Sequence, residues 1–148
     1  MEILDNLRQT KQTTLAFFEL SELDLQKSYG PGKWTIREIL HHLADAETVL
    51  YDRIRRAIAE PGTVIWAFDQ DKWCEKIEYA IQPLGISQSI YASVREGVIN
   101  LANQYYVKYG DNQFIHSESG LRTLKDEFDK VAWHNERHLQ QIKNALET

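Results

Sequence analysis

Apolar positions recur at steps of three and four in four separate stretches of the chain. Between residues 3 and 26, Leu4, Leu7, Lys11, Thr14, Phe18, Ser21 and Leu25 fall on one line, widened by Ile3, Leu15 and Phe17. This period predicts a helix. The stretch Tyr29-Gly30-Pro31-Gly32-Lys33 ends it, because Gly and Pro together break regular structure. A second helix opens at Thr35, whose hydroxyl and Glu38 form a Thr-x-x-Glu capping box. Its buried face reads Ile36, Ile39, Leu40, Leu43, Ala46, Leu50, Ile54 and Ile58, and Pro61-Gly62 closes it. Trp34, just before the cap, is placed as a hydrophobic staple. A third helix is predicted over 87–107 from Ile90, Tyr91, Val94, Gly97, Val98 and Leu101. The last begins at Thr123-x-x-Asp126 and buries Leu124, Phe128, Val131, Leu139, Ile142 and Leu146.

The connections are less regular. Residues 61–83 carry Trp66, Phe68 and Trp73 among polar neighbours and end at Pro83. Such a long connection inside a compact domain suits a lid or a pocket wall. Gly110-Asp111-Asn112 reads as a turn, and His116-Ser117-Glu118-Ser119-Gly120 as a loop before the last helix. No hairpin signal is evident. Four amphipathic helices without strands predict an all-α four-helix bundle in one domain, 1–148.

Composition narrows the function. A net charge of −5 argues against nucleic-acid binding, which needs a basic face. No run of about 18 apolar residues could span a membrane. The start, Met1-Glu2-Ile3-Leu4-Asp5, lacks the basic and apolar parts of a signal peptide. The single cysteine, Cys74, excludes an internal disulfide and any Cys-rich zinc knuckle, and is expected to be buried and inert. A cytoplasmic setting is the expectation.

The histidines carry the candidate chemistry. His134 and His138 stand four apart on the last helix, about 40° from each other, so both imidazoles can face one ion. They flank the apolar stripe, where a site between facing helices must lie. A third ligand is available from the second helix. His42 lies about a quarter turn from the centre of that helix's stripe, whereas His41 is nearly opposite and expected to be solvated. Three imidazoles suit zinc, nickel or a similar ion and leave a coordination position open. The segment His134-Asn135-Glu136-Arg137-His138 is not H-E-x-x-H: its glutamate points away, which excludes a zincin protease. The alternative is a pair of half-buried histidines hydrogen-bonded to neighbours.

Four stretches resemble the DinB/YfiT-like superfamily. Gly32-Lys33-Trp34-Thr35 through Glu47 resembles its first signature, with His42 in the ligand place and Asp45 in the acidic one. Trp133 through Ile142 resembles the second, with His134 and His138 as ligands. Ala67-Phe68-Asp69-Gln70-Asp71-Lys72-Trp73 is similar to the YfiT-like branch's loop after the second helix. His116-Ser117-Glu118-Ser119-Gly120 resembles its His-Pro-Glu-x-Gly segment, with Ser117 in the Pro place. Arg137 stands where the branch often has another histidine, which puts that residue's part in substrate handling in question.

The resemblance implies an up-down-down-up or similar four-helix bundle, often dimeric, with a three-histidine zinc or nickel site. It implies a small-molecule substrate, with a low-molecular-weight thiol as cosubstrate in transferase relatives. A thiol transferase, a hydrolase using metal-activated water and a non-catalytic metal-binding scaffold in a stress-response protein remain as readings. Asp45 is a loose candidate to orient a ligand imidazole, although the helical wheel points it away from the stripe. Glu118, Asp69 and Trp73 are candidates to line the pocket.

Overall fold

A computed structural model describes all 148 residues. Its elements in chain order are α1 (Glu2–Phe17), α2 (Glu22–Leu25), α3 (Ile36–Ala59), β1 (Val64–Ile65), α4 (Gln70–Lys76), α5 (Leu84–Tyr105), β2 (Gln113–His116), β3 (Gly120–Thr123) and α6 (Leu124–Leu146). Both capping boxes form. Thr35 accepts from the Glu38 backbone while Glu38 accepts from the Thr35 backbone, and Thr123 and Asp126 do the same on α6. Each cap satisfies amide groups that the first helical turn cannot, and contributes about 1 kcal/mol.

α1, α3, α5 and α6 make the bundle, and two apolar cores show its path. One core holds Leu4 and Leu7 of α1, Leu50 and Ile54 of α3, Val98 and Ala102 of α5, and Phe128 and Val131 of α6. The other holds Phe18 just past α1, Ile39 and Leu43 of α3, Tyr91 of α5, and Leu139 and Ile142 of α6. So α1 and α6 run from the first core to the second, and α3 and α5 run back: up, down, down, up. Each long helix packs on two others, with α1 diagonal to α3 and α5 diagonal to α6. Because α3 and α5 are parallel, residues 60–83 must carry the chain the length of the bundle, which explains that long connection.

A polar layer separates the two cores. Arg95, fully buried, sits bidentate on Glu47 with N–O distances of 2.5 and 3.0 Å. The same guanidinium donates to the Leu7 carbonyl, Thr10 Oγ1 and Asn135 Oδ1. Asn135 also accepts from the Tyr91 hydroxyl at 2.5 Å and donates to Thr14 Oγ1. This network touches all four long helices and accounts for the burial of Thr10 and Thr14 on α1.

The model departs from the sequence-based expectation in four places. The first helix stops at Phe17, and the chain restarts at Ser21, whose side chain caps the four-residue α2. The 61–83 connection is ordered by β1 and by α4, capped through Asp69. The third long helix begins three residues early, at Leu84 directly after Pro83. A hairpin does exist: β2 pairs antiparallel with β3, and β1 adds parallel to β2. Its alternation is only four residues long, with Phe114 and His116 inward, too short to show as a period. Gly120, at φ +81°, makes the turn back into β3.

Candidate metal centre

The Thr35 cap fixes where α3 starts, and two turns later His42 emerges fully buried on the side facing α6. On α6, His134 and His138 lie one turn apart, the first half-buried and the second buried. The three Nε2 atoms converge. His42 Nε2 is 3.0 Å from His134 Nε2, which is 3.1 Å from His138 Nε2. The ring planes stand at 66–74° to one another, so the nitrogens meet edge-on instead of the rings stacking.

Electrostatics keep all three rings neutral. Burial, reinforced by the other imidazoles, lowers the His42 pKa to about 3 and the His134 pKa to about 2. Burial also lowers that of His138, opposed by its hydrogen bond to Gln141. Their lone pairs are therefore free at neutral pH, as metal ligation requires.

The donor set fits a divalent metal. His138 Nδ1 lies 2.7 Å from Gln141 Oε1, an acceptor, which assigns the proton to Nδ1 and leaves Nε2 as a lone pair. A proton on His134 Nε2 can point well at only one of its two partners, so hydrogen bonding leaves the cluster under-satisfied. Two nitrogens at ordinary Zn–N distance and a tetrahedral angle stand about 3.3 Å apart, close to the spacing seen. His42 Nδ1 is buried without a protein partner. No carboxylate approaches the three rings to share or replace them as a ligand.

Aromatic side chains enclose the centre. Trp34 packs 4.9 Å from His42 and lies parallel to His138 at 6.3 Å. Gly32, two residues before Trp34, turns the chain at φ +72°. Phe68 stacks on His42 at 6.3 Å, and Trp73 packs on Phe68 at 4.8 Å. Two openings share His134 and Gln70. A cleft of about 270 Å³ runs past Tyr29, Trp34, Asp71, Arg137, His138 and Gln141. A smaller cavity of about 180 Å³ on the other side is lined by Arg53, Phe68, His116, Glu118 and Lys130.

The remaining sequence-nominated residues divide. Glu118 lines the small cavity at its exposed edge, and Trp73 backs Phe68. Asp69 caps α4 by accepting from the Lys72 amide, and so sets Gln70 and Asp71 at the opening. Asp45 binds the Tyr79 hydroxyl, not a ligand imidazole. Arg137 lines the larger cleft and lies over Trp133. Cys74 is buried with its thiol donating to Glu38 Oε2, and burial raises its pKa to about 12, which keeps it protonated and inert.

His41 corrects the expectation. It is 2 % exposed, not solvated. The segment between α3 and α5 covers that face of α3. Gln82 O lies 3.1 Å from His41 Nε2, Ser87 Oγ 2.6 Å from Nδ1, and Tyr79 packs on the ring. A helical wheel sees only one helix and cannot anticipate a connection folding over its far side. Gln141 was not singled out either, although it stands three residues after His138, where helix geometry puts two side chains in contact.

The sequence pattern of the DinB superfamily matches residues 6–142. The chain belongs to this superfamily. Two relatives from Oceanobacillus iheyensis, both named "putative metal-dependent hydrolase", are 32 % identical over 127 residues and 33 % over 141. These matches cover 86 % and 95 % of this chain, and 73 % and 80 % of the relatives. A protein of the same description from Halalkalibacterium halodurans is 25 % identical over 127 residues, 86 % of this chain and 74 % of its own. The solved structure of YfiT from Bacillus subtilis superposes with a TM-score of 0.90 at 20 % identity, covering 99 % of this chain and 85 % of that one. YfiT is described as "a probable metal-dependent hydrolase with an unusual four-helix bundle topology". The superposition shows that this chain shares the fold of that bundle. No helix is long and apolar enough to cross a membrane.

Proposed function

We propose that the protein is a metal-dependent enzyme in which His42, His134 and His138 hold one zinc or nickel ion beside a small-molecule pocket, with a low-molecular-weight thiol as nucleophile. The convergence of three neutral Nε2 atoms at the junction of two openings carries this reading. When bound, the metal supplies a Lewis acid that lowers the pKa of a group in its open position. The protein's own residues do the rest. Gln141 holds the His138 tautomer. Trp34 and Phe68 restrict water around the rings, which strengthens electrostatic interaction there. The thiol is preferred over water because the carboxylates that share an opening with a triad ring, Asp71 and Glu118, are both exposed, and Asp45 is engaged by Tyr79, so no buried general base stands by the centre. A thiol activated by the metal needs no such base.

Hydrolysis is the second reading, favoured by one observation: Glu118 and His134 line the same small cavity, so Glu118 could serve as general base to a water there. The names of the relatives agree with it. Elemental analysis of untagged protein beside His134→Ala and His138→Ala tests the centre first. Near one zinc or nickel per chain, lost in both variants, is the expected result; no metal after incubation with either ion sinks both readings. Assays of a model electrophile then separate them. Product formation that requires added thiol supports the transferase, and thiol-independent release, lost in Glu118→Gln, supports the hydrolase.

A further inference from the structure

The small cavity is chemically unlike the larger cleft. Cations outnumber buried anions around it. Arg53 is 2 % exposed, donates from Nη2 to the Trp66 carbonyl, and leaves its buried Nε without an acceptor. Its nearest carboxylate oxygen, Glu127 Oε2, is 3.9 Å away, and the other Glu127 oxygen accepts from Arg122. Lys130, half-buried, has no ion pair, and burial lowers its pKa. One buried carboxylate, Glu127, thus faces three cations; Glu118 is exposed and screened by water.

A third donor completes the wall. His116 Nδ1 accepts from the backbone amides of Glu118 and Ser119, both at 3.1 Å. Burial and the neighbouring Arg53 and Lys130 charges keep the ring neutral, so its one proton sits on Nε2. That N–H finds no acceptor in the protein, and the ring lines the cavity. Arg53 Nε is buried without an acceptor, which is costly, and a ligand oxygen would satisfy it while also meeting Lys130 and His116 on the same wall.

We propose that this cavity seats a carboxylate of the small molecule whose reacting end lies at the His42–His134–His138 centre, with Arg53, Lys130 and His116 as donors. His134 forms part of the same wall, so a short molecule can reach both. The inference rests on the metal-centre reading and names its substrate class: anionic, carboxylate-bearing small molecules. Arg53 suits a carboxylate because its planar donors match two oxygens in one plane.

Four probes test it by calorimetry, with and without added zinc: 3-mercaptopropionate, 3-mercaptopropionamide, butyrate and butyramide. Each acid binds about tenfold more tightly than its amide, as expected when a charge-assisted hydrogen bond is lost. In Lys130→Gln, which breaks no ion pair, that ratio falls to about twofold or less. Persistence of the butyrate preference without zinc shows that the carboxylate sits on the protein, not on the metal. Equal binding of acid and amide, an unchanged ratio in Lys130→Gln, or no binding by any probe each overturns the carboxylate site. The thiol reading fails separately: mercaptopropionate and butyrate then bind alike in the presence of zinc, and both still exceed butyramide.

Discussion

Two buried polar clusters lie side by side in this bundle, and they differ in whether they close. The Arg95 layer is self-contained: its guanidinium finds Glu47, Asn135, Thr10 and a backbone carbonyl, and Asn135 and Tyr91 complete the set. The histidine cluster is open. Its lone pairs converge, His42 Nδ1 has no partner, and the neighbouring Arg53 Nε is equally bare. Asn135 belongs to the first cluster and His134, the preceding residue, to the second. Polar burial alone therefore does not mark a site. Unfulfilled hydrogen-bonding capacity facing an opening does.

The largest effect should come from opening the closed cluster. Arg95→Met leaves Glu47 buried without its counter-charge and strips Asn135 and Thr10 of a donor. A loss of about 3–5 kcal/mol is expected, read as a lower urea midpoint, because an uncompensated buried charge is the dominant cost. Metal bound per folded chain should stay unchanged. A variant that keeps its midpoint would show that the layer is not what ties the four helices. In contrast, His138→Ala should remove the metal while costing the metal-free protein little. The thermal upshift that zinc gives the parent should vanish in the variant; at a free concentration about 1,000 times the Kd this upshift corresponds to about 4 kcal/mol.

Acid should act on the open cluster. The folded-state pKa values of His42 and His134, about 3 and 2, lie below the unfolded value of 6.5. Below pH 6.5 the unfolded chain takes up protons that the metal-free fold refuses, so stability falls as pH drops. Each of the two histidines contributes about 1.4 kcal/mol per pH unit. Above pH 6.5 neither contributes. Denaturation in excess chelator between pH 7.5 and 5 measures this, and His42→Phe should flatten the slope. A parent protein whose stability is flat across that range would contradict burial of neutral rings.

Much of the scaffold was legible because its signals are local. Thr35 with Glu38 and Thr123 with Asp126 announce two helix starts, and the spacing of His134 and His138 announces two imidazoles on one face. His42 was readable from its angle to Leu43 and Leu50. What escaped depends on distant chain. Arg95, Glu47 and Asn135 look like surface residues until three helices bring them together. His41 looks solvated until residues 79–87 fold over it. The hairpin is anchored by only Phe114 and His116, too few for a period. The cationic cavity draws Arg53, His116 and Lys130 from three elements, and no spacing in sequence links them.

The smallest expected effect asks which neighbour supports the ligands. By its place in the signature Asp45 is the acid beside His42, yet its carboxylate holds Tyr79, while Gln141 holds His138. Gln141→Leu frees the His138 ring to rotate and removes the acceptor that fixes its tautomer. Zinc affinity should drop about tenfold, measured by competition with a chromophoric chelator. Asp45→Asn keeps an acceptor for the Tyr79 hydroxyl and touches no triad ring, so zinc affinity should stay within about twofold of the parent, a change too small to register as a lost support. The reverse ranking would mean that Asp45 turns to His42 Nδ1 once the metal is in place. The orphaned Nδ1 would then be explained by a rotation of one side chain, and the closed and open clusters would differ only until the metal arrives.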